Sequence, residues 1–164
     1  MIGCLLELLE LERGNTLKQV FVVLPLFLVI AFGELSQSQD KKDGVSFKVI
    51  VNVSNPTEAL KKDQISRLFL KKTTTWSRNQ TVQPLDLPAD SPVRKDFTKL
   101  IHGRSISAVK AYWQRQIFTG DGVPPPEKNS DEEVIKYVRE NTGAIGYVSN
   151  TVELKDVKIL KLEK

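Results

Sequence analysis

Two segments far apart in the sequence constrain the fold most strongly, because each joins a regular apolar pattern to a turn. Residues 64–76 (QISRLFLKKTTTW) place Ile65, Leu68 and Phe69 at helical spacing and end in a short basic turn that Trp76 closes. Residues 142–148 (TGAIGYV) predict a glycine turn that leads into a buried strand. The two patterns together favour an α/β domain.

The N-terminal part of the sequence is typical of a secretory signal peptide. Residues 20–32 form an almost unbroken apolar run between Lys18 and a polar stretch at residues 34–40. As a helix this run reaches only about 20 Å, which is less than the ~30 Å hydrocarbon core of a bilayer. We therefore predict export with cleavage, and the alternative is an uncleaved segment that tethers the domain to the inner membrane.

The residues before Leu17 do not fit a signal peptide, since Glu7, Glu10 and Glu12 stand where a basic start is expected. This favours the hypothesis that translation begins at Leu17. The predicted organisation is a leader with a signal peptide at residues 1–38, a flexible linker at residues 39–46 and a single α/β domain at residues 47–164.

Composition limits the classes of function. The whole chain has 24 basic and 20 acidic residues, and removing residues 1–38 takes away two basic and four acidic ones, which leaves 22 − 16 = +6. This charge is mild for a nucleic-acid-binding protein. The only cysteine, Cys4, lies in the leader, so the predicted domain must be held by its apolar core.

Strand and helix patterns alternate along the rest of the chain, which predicts a three-layer α/β fold with a mixed sheet and flanking helices. Thr57 is placed to cap a helix that continues through residues 64–70, and the alternative is a turn at residues 61–63 that interrupts it. Ser91 and Pro92 start a helix that Gly103 ends. A third helix, at residues 105–118, aligns Ile106, Val109, Trp113 and Ile117 on one stripe, and Ser130 caps a fourth at residues 131–140. The predicted strands are residues 47–53, 81–85, 144–148 and 157–162.

The two segments described first resemble the substrate-binding proteins of ABC phosphate importers. Chains of that family commonly carry an "I…IF.GK…W" segment and, much later, a "PGAIGYV" segment, and the resemblance covers most of the chain after residue 47. It implies one lobe of a type II periplasmic binding protein. The implied function is non-enzymatic binding of phosphate or another small oxyanion for uptake, with an ABC transporter permease or another periplasmic protein as partner.

One candidate ligand site is the segment Asp90-Ser91-Pro92-Val93-Arg94. The comparable turn of the family reads Arg and then, a few residues later, Asp-Gly-Ser-Gly-Thr at a helix start, where N–H groups and hydroxyls bind an oxyanion. Here Leu87 stands near the position of the family's Arg, and Pro92 and Val93 remove donors. The resemblance implies Asp90, Ser91 and Arg94 as ligand-binding residues, and the alternative is a plain helix start.

A second candidate group is Ser54, Asn55 and Thr57, which follow the first strand where α/β sheets commonly bind ligands. The alternative interpretation is a turn with a helix cap. No cofactor or metal site is predicted, since the sole histidine, His102, has no metal-spaced partners and suits a helix end where a cation is favourable.

Aromatic and basic residues interleave around Trp76, Tyr112 and Trp113. A stacking surface for single-stranded nucleic acid has this composition, but the helical spacing of Trp113 favours core packing instead. A function of a different class stays open: a periplasmic interaction or assembly protein that uses the same fold without a ligand. A homodimer in which two lobes share one cleft is a further hypothesis.

Overall fold

The computed structural model describes residues 46–163, without the side chain of Arg78. The predicted leader, the signal peptide and almost all of the linker lie outside the described residues. In chain order the elements are β1 (Phe47–Asn52), β2 (Ala59–Lys61), α1 (Lys62–Phe69), a 3-10 turn (Ser77–Asn79), β3 (Gln83–Pro84), α2 (Pro92–Phe97) with a π-helical continuation (Thr98–His102), α3 (Ile106–Thr119), α4 (Asp131–Glu140), β4 (Ala144–Ser149) and β5 (Val157–Glu163).

The five strands form one mixed sheet in the order β2-β5-β1-β4-β3. The central strand β1 is antiparallel to β4 and β5, with Ile50 opposite both Gly146 and Ile159. The outer strands β2 and β3 are parallel to their neighbours. Each of these outer strands pairs with a strand that lies much later in the chain. The combination of parallel and antiparallel pairs confirms the predicted mixed sheet.

Helix α4 covers one face of the sheet at very close range. A Cβ atom on Gly146 would lie 2.5 Å from Val134 Cγ1 and 3.5 Å from Val138 Cγ2. Both valines are fully buried. Glycine at this position is therefore required by the close approach of the helix to β4.

Helices α1 and α2 cover the opposite face, where an aromatic cluster forms the core. The rings of Phe97 and Tyr147 are stacked with centroids 3.8 Å apart, and Phe69 packs against both. Tyr147 follows Gly146 in β4, and consecutive strand residues point to opposite faces. Helices on both faces of one sheet confirm the three-layer α/β fold.

The two segments that carry the family resemblance meet in the structure. Trp76 is buried, and its Nε1 donates a hydrogen bond to the carbonyl oxygen of Gly143 at 2.9 Å. A Cβ on Gly143 would lie 2.2 Å from the backbone oxygen of Thr81. The assignment of TGAIGYV to the fold, and of Trp76 and Trp113 to the core, is confirmed by this burial and packing.

The predicted helix cap at Thr57 is wrong. Residues 59–61 form β2, which pairs with β5, and α1 begins only at Lys62. The side chain of Gln64 accepts a hydrogen bond from the backbone N–H of Lys61 at 2.8 Å and so starts the helix. A three-residue strand is specified by its long-range partner rather than by its own sequence, which explains the error.

The predicted stripe on α3 is only partly buried. Val109 and Trp113 pack against Leu70, whereas Ile117 is 55% exposed. The helix extends beyond the body of the domain at its C-terminal end, so its regular spacing continues after the packing surface has stopped. No helix within residues 46–163 is long and apolar enough to cross a membrane.

The expected helix boundaries at serine and glycine are confirmed. Ser91 and Ser130 accept hydrogen bonds from the N–H groups of Arg94 and Glu133 at 3.5 and 3.3 Å. Gly103 ends the α2 continuation with a φ of 61°, a left-handed conformation that favours glycine.

Candidate functional site

A shallow cleft of about 460 Å³ lies where the N-terminal ends of α2 and α4 come together. Its lining residues are Leu87, Pro88, Asp90, Ser91, Pro92, Val93, Asn129, Ser130 and Asp131. The parallel strands β3 and β4 point their carboxyl ends toward this edge, and Asp131 accepts a hydrogen bond from the N–H of Ser149 at the end of β4. This edge is the usual ligand position of open α/β sheets.

The local sequence explains why two helices begin at the cleft. Pro92 occupies the first turn of α2, where its missing N–H costs no helical hydrogen bond, and Ser91 caps the helix. Ser130 caps α4, and Glu133 reaches back to accept a hydrogen bond from the N–H of Asn129 at 3.0 Å. The partial positive charge of two helix N-termini therefore converges on one small volume.

Arg94 is buried beneath the cleft and is fully engaged by the protein. Its Nη2 lies 2.9 Å from Asp86 Oδ2, and its Nη1 donates hydrogen bonds to the carbonyl oxygen of Leu87 and to Glu127. Burial opposes the charge, but Asp86 and Glu127 raise the pKa of the guanidinium above its ordinary value. The structure thus places Arg94 next to the cleft as part of an internal ion cluster.

Asp86 holds this ion cluster to the sheet. Its Oδ1 accepts hydrogen bonds from the hydroxyl of Tyr147 and from the N–H of Leu87. Burial raises the pKa of Asp86, while Arg94 and Tyr147 act in the opposite direction. Burial and the neighbouring Asp86 carboxylate also raise the pKa of Tyr147, so its hydroxyl stays protonated and donates to Asp86.

Two carboxylates that line the cleft carry negative charge, which acts against the partial positive charge of the helix N-termini. Asp90 is exposed on the rim, and Asp131 is partly buried on the other wall. Burial raises the pKa of Asp131, although the hydrogen bond from Ser149 lowers it in part. An anion in the cleft is attracted by backbone N–H groups and repelled by these side chains, which favours a protonated oxyanion that can donate to a carboxylate.

The other predicted residues lie at the far end of α4. Asn52 Nδ2 donates to the carbonyl oxygens of Val138 and Arg139 at 2.9 and 2.8 Å, which caps the C-terminus of the helix. The N–H and hydroxyl of Ser54 both donate to Asn52 Oδ1. Ten residues of helix, about 15 Å, separate this loop from the cleft.

Asn55 and Thr57 belong to the same loop. Asn55 is buried, its Oδ1 accepts a hydrogen bond from the N–H of Thr57 at 2.9 Å, and its carbonyl oxygen accepts one from Lys158. Thr57 borders a different cleft. The six predicted ligand residues are therefore not brought together: Asp90 and Ser91 line one cleft, Arg94 lies below it, and Ser54, Asn55 and Thr57 lie at the opposite end of α4.

Comparison with known proteins places this geometry in context. No protein-family model matches the chain, and no curated protein matches it in sequence. Among solved structures, an ABC-type phosphate transport receptor from Vibrio cholerae matches with a TM-score of 0.57 and 22% identity, over 73% of this chain and 47% of the receptor. The fold is that of phosphate transport receptors.

Two further structures support the same assignment. A putative phosphate ABC transporter substrate-binding protein with bound phosphate from Clostridium perfringens gives a TM-score of 0.55 at 18% identity, over 71% of this chain and 44% of that protein. PstS from Borrelia burgdorferi gives 0.53 at 14% identity, over 73% and 47%. The chain spans less than half the length of each of these three proteins.

Sequence reasoning missed two features of the described structure. The first is the ion cluster around Arg94. The sequence signals available for it were Asp86, which follows β3, and Tyr147, which lies in the GYV segment. The second is a cleft of about 530 Å³ between α1 and residues 73–77, bordered by Thr57, Asp63 and Arg67. In the sequence, Asp63 and Arg67 are only two opposite charges on one face of α1, and this pattern does not indicate that a concave surface forms beside them.

The prediction that His102 suits a cation is wrong. His102 does end the α2 continuation, but its Nδ1 lies 2.8 Å from the hydroxyl of Ser66. Burial and the positive charge of Arg104 lower its pKa from 6.5 to about 4, so the ring is neutral at pH 7. Within residues 46–163, no three His, Cys, Asp or Glu side chains are grouped in a way that could hold a metal ion.

Proposed function

We propose that the protein is an exported, non-enzymatic solute-binding domain that takes a small oxyanion, such as phosphate, in the cleft between the N-termini of α2 and α4. The observation that carries the proposal is this convergence of two helix N-termini at the carboxyl edge of β3 and β4, in a fold shared with phosphate transport receptors. Asp90 and Ser91 are the proposed ligand contacts.

The charges around the cleft set the expected affinity. Arg94 is engaged with Asp86 and Glu127, and Asp90 and Asp131 repel an anion. We therefore expect a dissociation constant on the order of 1 mM for phosphate at low salt. An ABC transporter permease or a second protein that closes over the cleft is the proposed partner, since the cleft formed by the described residues is shallow and open.

Isothermal titration with phosphate and sulfate tests the proposal. Asp90→Asn removes one negative charge from the rim, so sulfate should bind about fivefold more tightly. Glu153→Gln makes the same change in charge at an exposed position away from the cleft and should alter the affinity less than twofold. Heats that do not saturate for any of these proteins would refute an oxyanion function.

A second candidate function, a periplasmic interaction or assembly protein, is favoured by the engagement of Arg94. A receptor whose arginine is already paired with two carboxylates retains the fold without a strong anion ligand. Light scattering discriminates the two. A stable homodimer that binds phosphate supports a cleft shared by two copies, and a monomer with no anion affinity supports the interaction role.

Export and cleavage are separate proposals. They are supported by the apolar run at residues 20–32 and the polar stretch after it. Mass measurement of the protein recovered from the cell envelope tests them, because an intact residue 20–32 segment in the mature protein would instead support the inner-membrane tether.

A further inference from the structure

The C-terminal end of α3 projects three large apolar side chains into solvent. Phe118 is 91% exposed, Ile117 is 55% exposed and Val123, in the loop that follows, is 60% exposed. The loop folds back on the helix, because the N–H groups of Asp121 and Gly122 both donate to the carbonyl oxygen of Gln116. Ile117 and Phe118 end the helix, and Val123 follows the turn that folds back on it; we call these three residues the apolar tip.

Three cationic side chains lie on α3 or against α3 and the loop that follows it. Arg115 is exposed one helical turn before Phe118. Lys71 Nζ donates to the carbonyl oxygen of Pro124, next to Val123, at 3.4 Å, and Lys72 Nζ lies 5.8 Å from the ring centroid of Tyr112 on α3. We call Lys71, Lys72 and Arg115 the basic arc. Asp121 is the only acidic residue in the sequence between residues 105 and 126.

The backbone at Lys71 adopts a conformation that is uncommon for a residue other than glycine. Lys71 follows the end of α1 with a φ of 52°, in the left-handed region where helices usually end with glycine. The lysine is not needed to end the helix, since the N–H of residue 71 makes the bond to the carbonyl oxygen of Leu68 with any side chain. Non-glycine residues held in this conformation concentrate at functional positions.

From these observations we infer that the end of α3 docks on an anionic phospholipid surface. The apolar tip would enter the boundary between headgroups and acyl chains, and the basic arc would contact the phosphate groups around it. The tip protrudes rather than lining a groove, which suits a fluid bilayer better than a structured protein partner. Trp76 and Trp113 are buried, so they offer no stacking surface for a nucleic acid.

This surface is distinct from the oxyanion cleft, and neither function requires the other. Residues of the tip and arc do not line the cleft at Asp90 and Ser91. A domain that contacts the bilayer in this way lies on the membrane without spanning it.

The test is co-sedimentation of the protein, as it is recovered from cells expressing the full chain, with two kinds of vesicle. One is phosphatidylcholine alone, and the other is phosphatidylcholine and phosphatidylglycerol in equal parts. We expect stronger binding to the anionic vesicles, weakened by added salt. Phe118→Ser should reduce this binding about tenfold, and Val53→Ser, at a 60% exposed valine outside the tip, should not.

Lys71→Gly provides a variant that should keep the stability of the domain. Glycine relieves the left-handed backbone, so the melting temperature should rise or stay unchanged. Loss of one cation should nevertheless lower binding to anionic vesicles about fivefold. Lys155→Gln, at an exposed lysine outside the arc, is the matched control and should have little effect.

Three results would overturn the inference. The first is equal vesicle binding by the unchanged protein and Phe118→Ser. The second is equal binding to neutral and anionic vesicles. The third is a homodimer that Phe118→Ser converts to a monomer, because that result would assign the apolar tip to a second copy of the chain.

Discussion

The two ends of helices α2 and α4 differ in how their backbone groups are satisfied. Both N-termini border one shallow cleft and rely on partly buried serine caps, Ser91 and Ser130. Both C-termini are packed against the domain, where Asn52 caps α4 and His102 closes the α2 continuation beside Ser66. Similar polar side chains therefore lie at the proposed ligand site at one end and hold the fold at the other.

This contrast shows why polar residues at the end of a strand do not by themselves form a ligand-binding site. Ser54 is as polar as Ser91, but its N–H and hydroxyl both donate to Asn52 Oδ1 within the same loop. The Oδ1 and carbonyl oxygen of Asn55 are likewise used, by Thr57 and by Lys158, and within residues 46–163 its buried Nδ2 has no hydrogen-bond partner. At the cleft, two helices begin side by side, and the first N–H groups of a helix have no partner within the helix itself.

The largest effect is expected just below the cleft. Arg94→Met leaves Asp86 buried without its counter-charge, which should lower the free energy of unfolding by about 4 kcal/mol at pH 7. Urea titration measures the change. Adding Asp86→Asn should restore much of the loss, and a loss that the second substitution does not reduce would show that the pair is not coupled.

Asn52→Ala tests the satisfied end of α4. It removes one buried and one partly buried hydrogen bond to carbonyl oxygens at the end of α4, together with the acceptor of Ser54, so we expect a loss of about 3 kcal/mol in the free energy of unfolding. Phosphate binding per folded molecule should not change. Ser54→Ala serves as the control, because it loses only the hydrogen bond from the Ser54 hydroxyl to Asn52 Oδ1. Equal losses of stability for the two variants would contradict the capping role of Asn52.

Because His102 is neutral in the folded protein, it makes the stability of the domain depend on pH. Its pKa is lowered from 6.5 to about 4 in the folded protein, so the unfolded chain binds the proton more readily. Stability from this group is present above pH 6.5 and is lost as the pH falls toward 4. The loss should reach about 2 kcal/mol between pH 7 and pH 5.

Urea titrations of the unchanged protein and His102→Gln at both pH values isolate this contribution. The variant should lose less stability on acidification, by about the same 2 kcal/mol. If both proteins respond equally to acid, His102 is not buried in its neutral form.

The smallest effect is expected at the exposed N-termini. Ser130→Ala removes the cap of α4 and should cost about 1 kcal/mol, and Ser91→Ala should cost no more, since its hydrogen bond is longer at 3.5 Å. Thermal unfolding measures both. Ser107→Ala, within the first turn of α3, is the control. If the loss of either serine cap lowers stability as much as Asn52→Ala does, the N-terminal and C-terminal ends of these helices do not differ.

Particular elements show how far the sequence predicts this structure. The helix that starts at Ser91 and Pro92 and the one capped by Ser130 are correct because capping is local and depends on a few consecutive residues. Strand β2 was missed because Ala59–Lys61 becomes a strand only by pairing with β5, which forms a hundred residues later. The exposure of Ile117 was missed because helical spacing does not reveal where the packing surface ends.

The candidate site shows the same division. The sequence indicated Asp90 and Ser91, since a serine and a proline before an apolar stripe mark a helix N-terminus. The use of Arg94 depended on Asp86 and Glu127, which lie 8 residues before it and 33 residues after it and meet it only in the folded chain. Charge pairing at such separations is not specified by any local pattern.

The sequence alone determined the alternation of strands and helices, the helix starts and the family resemblance carried by residues 64–76 and 142–148, because periodicity, capping and turn chemistry act over neighbouring residues. Only the tertiary structure decided which polar groups remain free. Asn52 reaches the end of α4 and Arg94 reaches Asp86 through the packing of elements distant in sequence. A polar side chain becomes a ligand group or a structural one according to the partners that folding brings to it.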